Sequence, residues 1–320
     1  MKGESVRIAT RSSDLGVRTA RLLSERLALR RIDSETFTFR TSADKHADDP
    51  QSELEGQRPY THELEVALEK GKVDCCVHSL DDLSADPVEG LETIALLKRA
   101  DPRDVLVVNP VTEAGSVDTL PAGSRVGTSS LRRRALLAAM RQDLEIVELR
   151  GDVATRLRKV ETGKVHAAIF AASELIRLGT PQRITAYLEP PVWLPAAGQG
   201  AVAIQIRSDD RRMRDLLSPL NHIPTANATE AERAFVAVLE GGFHLPIGAL
   251  AAAGSDDVMM LHGFVSDLKG LDVVRGQTIV DQRSPESSGR ALAADLRTRG
   301  ATSLLMELRS SRFMSASQPE

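Results

Sequence analysis

The chain has 320 residues, 42% of them hydrophobic, enough for a large buried core and, at roughly 100–200 residues per domain, for two or three domains. A formal charge of -4 excludes a global attraction to nucleic acid or acidic membranes, so any anion site must be a local cluster of Arg; at 3% aromatic residues, base-stacking platforms are also scarce. No apolar run reaches the roughly 18 residues that cross a bilayer, and the opening MKGESVRIAT has no signal-like apolar region, so a cytoplasmic location with no membrane or nucleic-acid partner is expected.

SVRIAT reads as a strand and leads through RSSDLG into VRTARLLSERLAL, where Val17, Leu22, Leu23 and Leu27 recur at helical spacing. TFTFRTSA is the next strand, THELEVALEKGK the next helix and VDCCVHSL a third strand, a βαβαβ rhythm that predicts a mostly parallel sheet. Cys75 and Cys76, the only cysteines, are neighbours on that strand and point to opposite faces. They offer neither a disulfide framework nor metal-ligand spacing, so two core thiols and no metal site are expected.

After the turn-rich NPVTEAGSVDTLPAGS the rhythm restarts in RVGTSSLRRRALLAAM, EIVELRGDVATRLRKVETGK and VHAAIFAASELIRL, and LPAAGQGAVAIQIRSDD adds another strand. From about Asn221 the texture changes to a helix, the loop LEGGFHLPIG, strand-like GALAAAG and MMLHGFVSD, and a last helix near SGRALAADLRTRGA. The expected fold is α/β, two lobes with mixed, mostly parallel sheets plus a smaller α+β C-terminal domain. Residues 1–100 and 195–217 are assigned to lobe 1, 104–192 to lobe 2, 221–311 to the third domain with its loop at 239–248, and 312–320 to a frayed tail.

Arg placement is repetitive. Arg11 follows the first strand, Arg132 and Arg133 follow GTSSL, and Arg150 ends a strand with Arg156 one or two helical turns beyond. Ligands of open α/β sheets gather outside the carboxyl ends of strands, where helix N-termini supply N–H donors and guanidinium forks add bidentate partners for carboxylates. An Arg in a first helical turn opposes the macrodipole, which favours ligand binding over a solvated helix start. Thr128, Ser129 and Ser130 add hydroxyls and a helix cap. Asp82, in HSLDDLS on the same rim, is placed to steady a cationic nitrogen or shuttle a proton, and Asp81 beside it raises one carboxyl pKa if both are buried.

Nine collinear blocks resemble the hydroxymethylbilane synthase, or porphobilinogen deaminase, family: RIATRSS, HELEVAL, VHSLDDL, DPRDVLV, VGTSSLRRR, ELRGDVATRLRKV, LPAAGQGAVAI, LNH and AERAFVAVLEGG. The resemblance implies two lobes of periplasmic-binding-protein type around a cleft, and a third domain whose loop cysteine carries a dipyrromethane by a thioether. It implies a transferase that condenses porphobilinogen with loss of ammonia. By the same carry-over Arg11, Arg132, Arg133, Arg150, Arg156 and Arg177 would bind pyrrole carboxylates, Asp82 would be the catalytic aspartate, and Ser13, Asp44, Thr128 and Ser129 would fall at further binding positions. A monomer is expected.

The departures fall where the cofactor should sit. Phe243 stands where the family has the attachment cysteine, and a benzyl group forms no thioether. Asp81 stands where the family has Lys, and EGQRPYTH alters the loop before ELE at Gln57, Arg58 and Pro59. These changes argue against the standard activity and against a covalently bound cofactor, and they predict a family-like protein whose Arg-rich cleft takes a small acidic, pyrrole-like polycarboxylate. Two alternatives stay open, an active synthase with atypical or noncovalent priming and a noncatalytic anion-binding or sensor module.

Overall fold

The computed structural model describes residues 5–45, 58–84, 88–239, 245–254 and 257–316. Strand β1 (Val6–Arg11) runs into helix α1 (Asp14–Leu29), whose N-cap is Ser13: its hydroxyl accepts from Gly16 N at 3.2 Å. Thr19, Ala20, Leu23 and Leu27 recur at helical spacing and are buried on the sheet. Strand β2 (Ser34–Phe39), helices α2 (Ser42–Lys45) and α3 (His62–Glu69), and strands β3 (Cys75–Ser79) and β4 (Leu91–Leu96) follow.

Residues 97–103 cross to the second lobe: β5 (Asp104–Val108), β6 (Arg125–Gly127), α4 (Leu131–Met140), β7 (Glu145–Val147), α5 (Val153–Glu161), β8 (Ala167–Ala171), α6 (Ala172–Arg177) and β9 (Ala186–Leu188). Residues 189–201 cross back, and β10 (Val202–Arg207) enters the first sheet before α7 (Arg211–Leu217). The sheet orders are β2-β1-β3-β10-β4 and β7-β6-β8-β5-β9. In each sheet four strands run one way and the strand next to a crossing, β10 or β5, runs against them, so parallel and antiparallel pairings are equal in number.

Alternation sorts the side chains. Val6 and Ile8 join α1 on one face of the first sheet while Ala9 joins α3 on the other, and Cys75 and Cys76 divide in the same way. In the second sheet Leu106 and Ile169 face one core, Val105, Val107 and Phe170 the opposite one. Each such aliphatic burial is worth roughly 1.5–3 kcal/mol.

The third domain comprises α8 (Ile223–Val238), an antiparallel sheet of β11 (Ile247–Ala253), β12 (Met259–Ser266) and β13 (Val273–Ile279), then α9 (Pro285–Leu296) and α10 (Thr302–Ala316). Helices α8 and α9 touch so closely that a Cβ on Gly289 would stand 2.1 Å from Ala231 O. Leu250 and Phe264 turn away from this domain's own core and pack with Trp193 and Leu194 in the core of the second lobe. Helix α10 is described through Ala316, with Leu304, Leu305 and Leu308 anchoring it in the core; residues 317–320 of the expected tail lie outside the described residues. Among the described residues no helix is long and apolar enough to cross a membrane, and no cluster of ligating side chains could hold a metal ion.

Candidate functional site

The parallel strands of both sheets deliver their carboxyl ends to one rim. Arg11 ends β1, the turn Leu80–Asp82 follows β3, Thr128 to Ser130 follow β6, Arg150 follows β7 and Glu174 sits in α6 just after β8. Arg177 Nη1 donates to Thr19 Oγ1 at 3.2 Å and so bridges α6 of one lobe to α1 of the other.

Arg11 is the centre on the first lobe. Its Nη2 meets Asp44 Oδ1 at 2.5 Å, its Nη1 meets Asp82 Oδ2 at 3.3 Å, and the guanidinium lies 5.0 Å from the Tyr60 ring centroid. Thr41 fixes Asp44 in turn, its N and Oγ1 donating to Oδ2 at 3.0 and 2.8 Å. Burial opposes the Arg11 charge, yet the Asp82 and Asp44 carboxylates outweigh it and raise its pKa; burial likewise opposes the Asp44 charge, and Arg11 lowers that carboxyl below its usual range. Tyr60 is pushed up by burial and by Asp82, with Arg150 and Arg156 of the facing lobe pulling the other way.

Asp81 and Asp82 form a half-buried carboxylate pair. Asp81 is pushed up to about 7 by burial first, then by Asp82 and Glu174. Asp82 is also raised by burial, although Arg11 holds it back. Across the cleft Arg156 Nη2 is 3.6 Å from Glu174 Oε1 and its guanidinium is 5.1 Å from the Phe170 centroid, while Arg150 Nε is 3.6 Å from Glu148 Oε1. Arg11 Nε and Arg156 Nε are buried without a hydrogen-bond partner among the described residues. A buried unmet donor costs about 1–3 kcal/mol.

The sequence-derived set therefore divides. Arg11, Asp44, Asp82, Arg150, Arg156 and Arg177 gather at the cleft with Asp81. Arg132 and Arg133 also have partners inside the protein. They are 5% and 9% exposed and turn inward onto Asp104, with Arg132 Nη1 2.6 Å from Oδ2, Arg133 Nη2 2.8 Å from Oδ1 and Arg133 Nε 3.2 Å from Oδ1. Trp193 Nε1 and Gln199 Nε2 complete the ring around Asp104 at 2.7 and 2.9 Å. Arg132 also donates to Leu194 O at 2.7 Å and Arg133 to Ile169 O at 3.2 Å. Burial opposes the Asp104 charge, but the two guanidinium groups hold its carboxyl far below the usual range. The two guanidinium groups thus form an ion cluster with Asp104, which neutralises the first turn of α4.

The hydroxyls also have partners within the chain. Ser13 caps α1, Ser129 Oγ donates to Leu149 O at 2.8 Å, and Thr128 Oγ1 accepts from Ser130 N at 3.2 Å. Tyr60 and Glu174 were missed in the sequence; the signal for Tyr60 was its place in the altered EGQRPYTH segment. In that segment Arg58 Nη1 pairs with the buried Glu65 at 2.8 Å, and Gln57 lies outside the described residues, as does Phe243. The cleft is also less positive than Arg spacing suggests, since Asp44, Asp81, Asp82 and Glu174 face Arg11, Arg150, Arg156 and Arg177.

Two family models cover this architecture in order: "porphobilinogen deaminase, dipyromethane cofactor binding domain" matches residues 6–215, and "porphobilinogen deaminase, C-terminal domain" matches residues 226–298. The chain belongs to the porphobilinogen deaminase family. It is 41% identical over 306 residues to the porphobilinogen deaminase of Moorella thermoacetica, across 95% of this chain and 96% of that one. Among solved structures it is similar to an ABC transporter periplasmic substrate-binding protein from Coxiella burnetii, at 20% identity, covering 69% of this chain and 94% of that one with a TM-score of 0.42. It is also similar to the periplasmic VFT2 domain of Bordetella pertussis BvgS, at 15% identity, covering 68% and 86% with a TM-score of 0.41. These two likenesses are too weak to bear on function, and the two-lobe assignment rests on the strand orders.

The resemblance puts Phe243 at the family's attachment position, outside the described residues. Both thiols are sealed in β3 at 0% exposure, Cys76 Sγ donates to Leu64 O at 3.3 Å, and burial pushes both pKa values up, which suppresses the thiolate.

Proposed function

We propose that this chain is a hydroxymethylbilane synthase-like protein that binds a pyrrole-type polycarboxylate noncovalently, as a monomer, and does not perform cofactor-primed tetramerisation of porphobilinogen. What carries the reading is the pair of buried, unmet guanidinium donors, Arg11 Nε and Arg156 Nε, on facing lobes of a chain with this family membership. Carboxylates of an acidic pyrrole supply the acceptors those donors lack, and bidentate pairing with Arg150 or Arg177 adds orientation. Asp82, held by Arg11, is the group that stabilises a pyrrole N–H or a transient cation through preorganised charge.

Phe243 belongs to the same reading. A phenyl ring in place of a sulfur nucleophile removes the anchor and substitutes apolar area and an aromatic face for it. Intact-mass measurement and calorimetric titration with porphobilinogen test the proposal together. The expected outcome is the mass of the bare polypeptide and saturable porphobilinogen binding that is lost in Arg11→Ala. A bound mass corresponding to a dipyrromethane, or no binding of porphobilinogen, overturns it. Uroporphyrin after acid oxidation of a porphobilinogen incubation would instead establish noncovalent priming.

A further inference from the structure

The turn that carries Asp81 and Asp82 is held from another domain. Arg233, half-buried on α8, donates from Nη1 to Leu80 O at 3.3 Å and to Leu83 O at 3.1 Å, and from Nη2 to Ser84 O at 2.5 Å. One guanidinium therefore closes on three carbonyls that flank the two carboxylates. Within lobe 1 the same turn has two backbone ties, Leu80 N to Ala201 O at 3.0 Å and Leu83 N to Leu80 O at 3.2 Å.

The preceding residue fixes where α8 stands. Glu232, fully buried, accepts from Arg99 Nη1 and Nη2 at 2.6 and 3.0 Å, from Gly198 N at 2.7 Å and from Ala251 N at 2.8 Å. Arg99 and Gly198 lie in the two crossing segments, and Ala251 lies in β11. Consecutive helical residues point about 100° apart, so Glu232 docks the helix on the crossings while Arg233 reaches the turn. The far end of α8 leads into residues 239–248, the loop of Phe243.

We propose that Arg233 is a positioning residue, through which the third domain sets where the Asp81 and Asp82 carboxylates stand in the cleft. The inference rests on reading Asp82 as the reactive group of that cleft. A guanidinium suits the task because its planar fork supplies several directed donors at once, which an ammonium does not. The groups around the pair are Arg11 and Asp44 on its own lobe, Glu174, Arg177, Arg132 and Arg133 on the facing lobe, and Arg233 itself.

The test uses the full chain with carbon-labelled aspartate carboxyls, as wild type, Arg233→Ala, Arg233→Gln and Arg233→Lys, titrated by NMR through the neutral range. Burial is the first cause of the high Asp81 midpoint near 7, so a loosened turn that admits water lowers it, by about one pH unit or more in Arg233→Ala. Arg233→Lys keeps the charge and part of the donor set and restores at least about half of that shift. An unchanged midpoint in Arg233→Ala refutes the proposal. A rise in the midpoint also refutes it, since that is the signature of losing a cation and nothing else. Should Arg233→Ala not fold, the Gln and Lys variants are judged by the same criterion, and failure of all three to fold assigns Arg233 to domain docking alone. Porphobilinogen titration of the same samples separates the two readings: wild type that binds none removes the ligand assignment, while an Arg233-dependent midpoint still supports positioning.

Discussion

Asp104→Asn is the substitution that most directly probes how this fold holds its arginines. Asp104 is fully buried and accepts from Arg132, Arg133, Trp193 and Gln199. Asparagine keeps one acceptor oxygen. In the better of its two orientations the new amide nitrogen faces Arg132 Nη1 and Trp193 Nε1, which can only donate, and two nearly buried guanidinium groups lose their counter-ion. Removing one partner of a buried ion pair costs about 3–5 kcal/mol, so a loss of about 4 kcal/mol is expected, roughly a thousandfold in the folded population. Trp193 is the only tryptophan and touches Asp104 directly, so its fluorescence in a urea titration reads the event where it happens. At a slope of about 3 kcal/mol per molar the midpoint falls by about 1–2 M. Adding Arg132→Met removes one stranded charge and should recover about 1–2 kcal/mol. A loss under about 1 kcal/mol, or strictly additive effects in the double variant, would refute the claim that this cluster is a desolvated charge unit.

The cleft carries one more negative charge above pH 7 than below it, because Asp81 titrates at about 7. Binding of porphobilinogen should therefore strengthen as pH falls through that value, by roughly 1 kcal/mol, and Asp81→Asn should abolish the dependence in calorimetry; a flat wild-type profile rejects this charge balance. Asp81 also has a folded pKa above its unfolded one, so its contribution to stability is fullest below about 4 and is lost as pH rises through 7. His78 works in the opposite direction. Burial pushes it down to about 4 against its hydrogen bond with Gln205, so its contribution of up to about 3 kcal/mol is present above 6.5 and is lost as pH falls towards 4. His78→Gln should flatten the acid limb of urea midpoints measured against pH. Thiol titration of the native protein should find no reactive cysteine, and unfolded protein two; one native equivalent would reopen attachment at β3. Phe243→Cys by itself should leave porphobilinogen condensation absent while Asp81 remains, and full activity from that change alone would show that the charge inversion is unimportant.

Much of this molecule is legible along the chain because strands and helices are set by near neighbours. Alternation in SVRIAT, helical spacing at Leu23 and Leu27, and opposite faces for Cys75 and Cys76 all follow from local geometry, and Arg11 at the end of β1 and Arg150 just past β7, with Arg156 in the helix beyond, mark the rim. The same local view does not reveal the internal partner of Arg132 and Arg133. Their counter-ion lies 28 residues or more away in DPRDVLV, a segment that reads as nothing beyond the start of a strand. Nor does any spacing announce that Arg233 reaches back about 150 residues to the Asp81–Asp82 turn, or that Tyr60 lies over Arg11. The order of residues decided which elements form and which chemical groups are available to the rim. Only the folded arrangement decided which of those charges are neutralised inside the protein and which are left for a ligand, because charge compensation and desolvation depend on distance through space and are indifferent to separation along the chain.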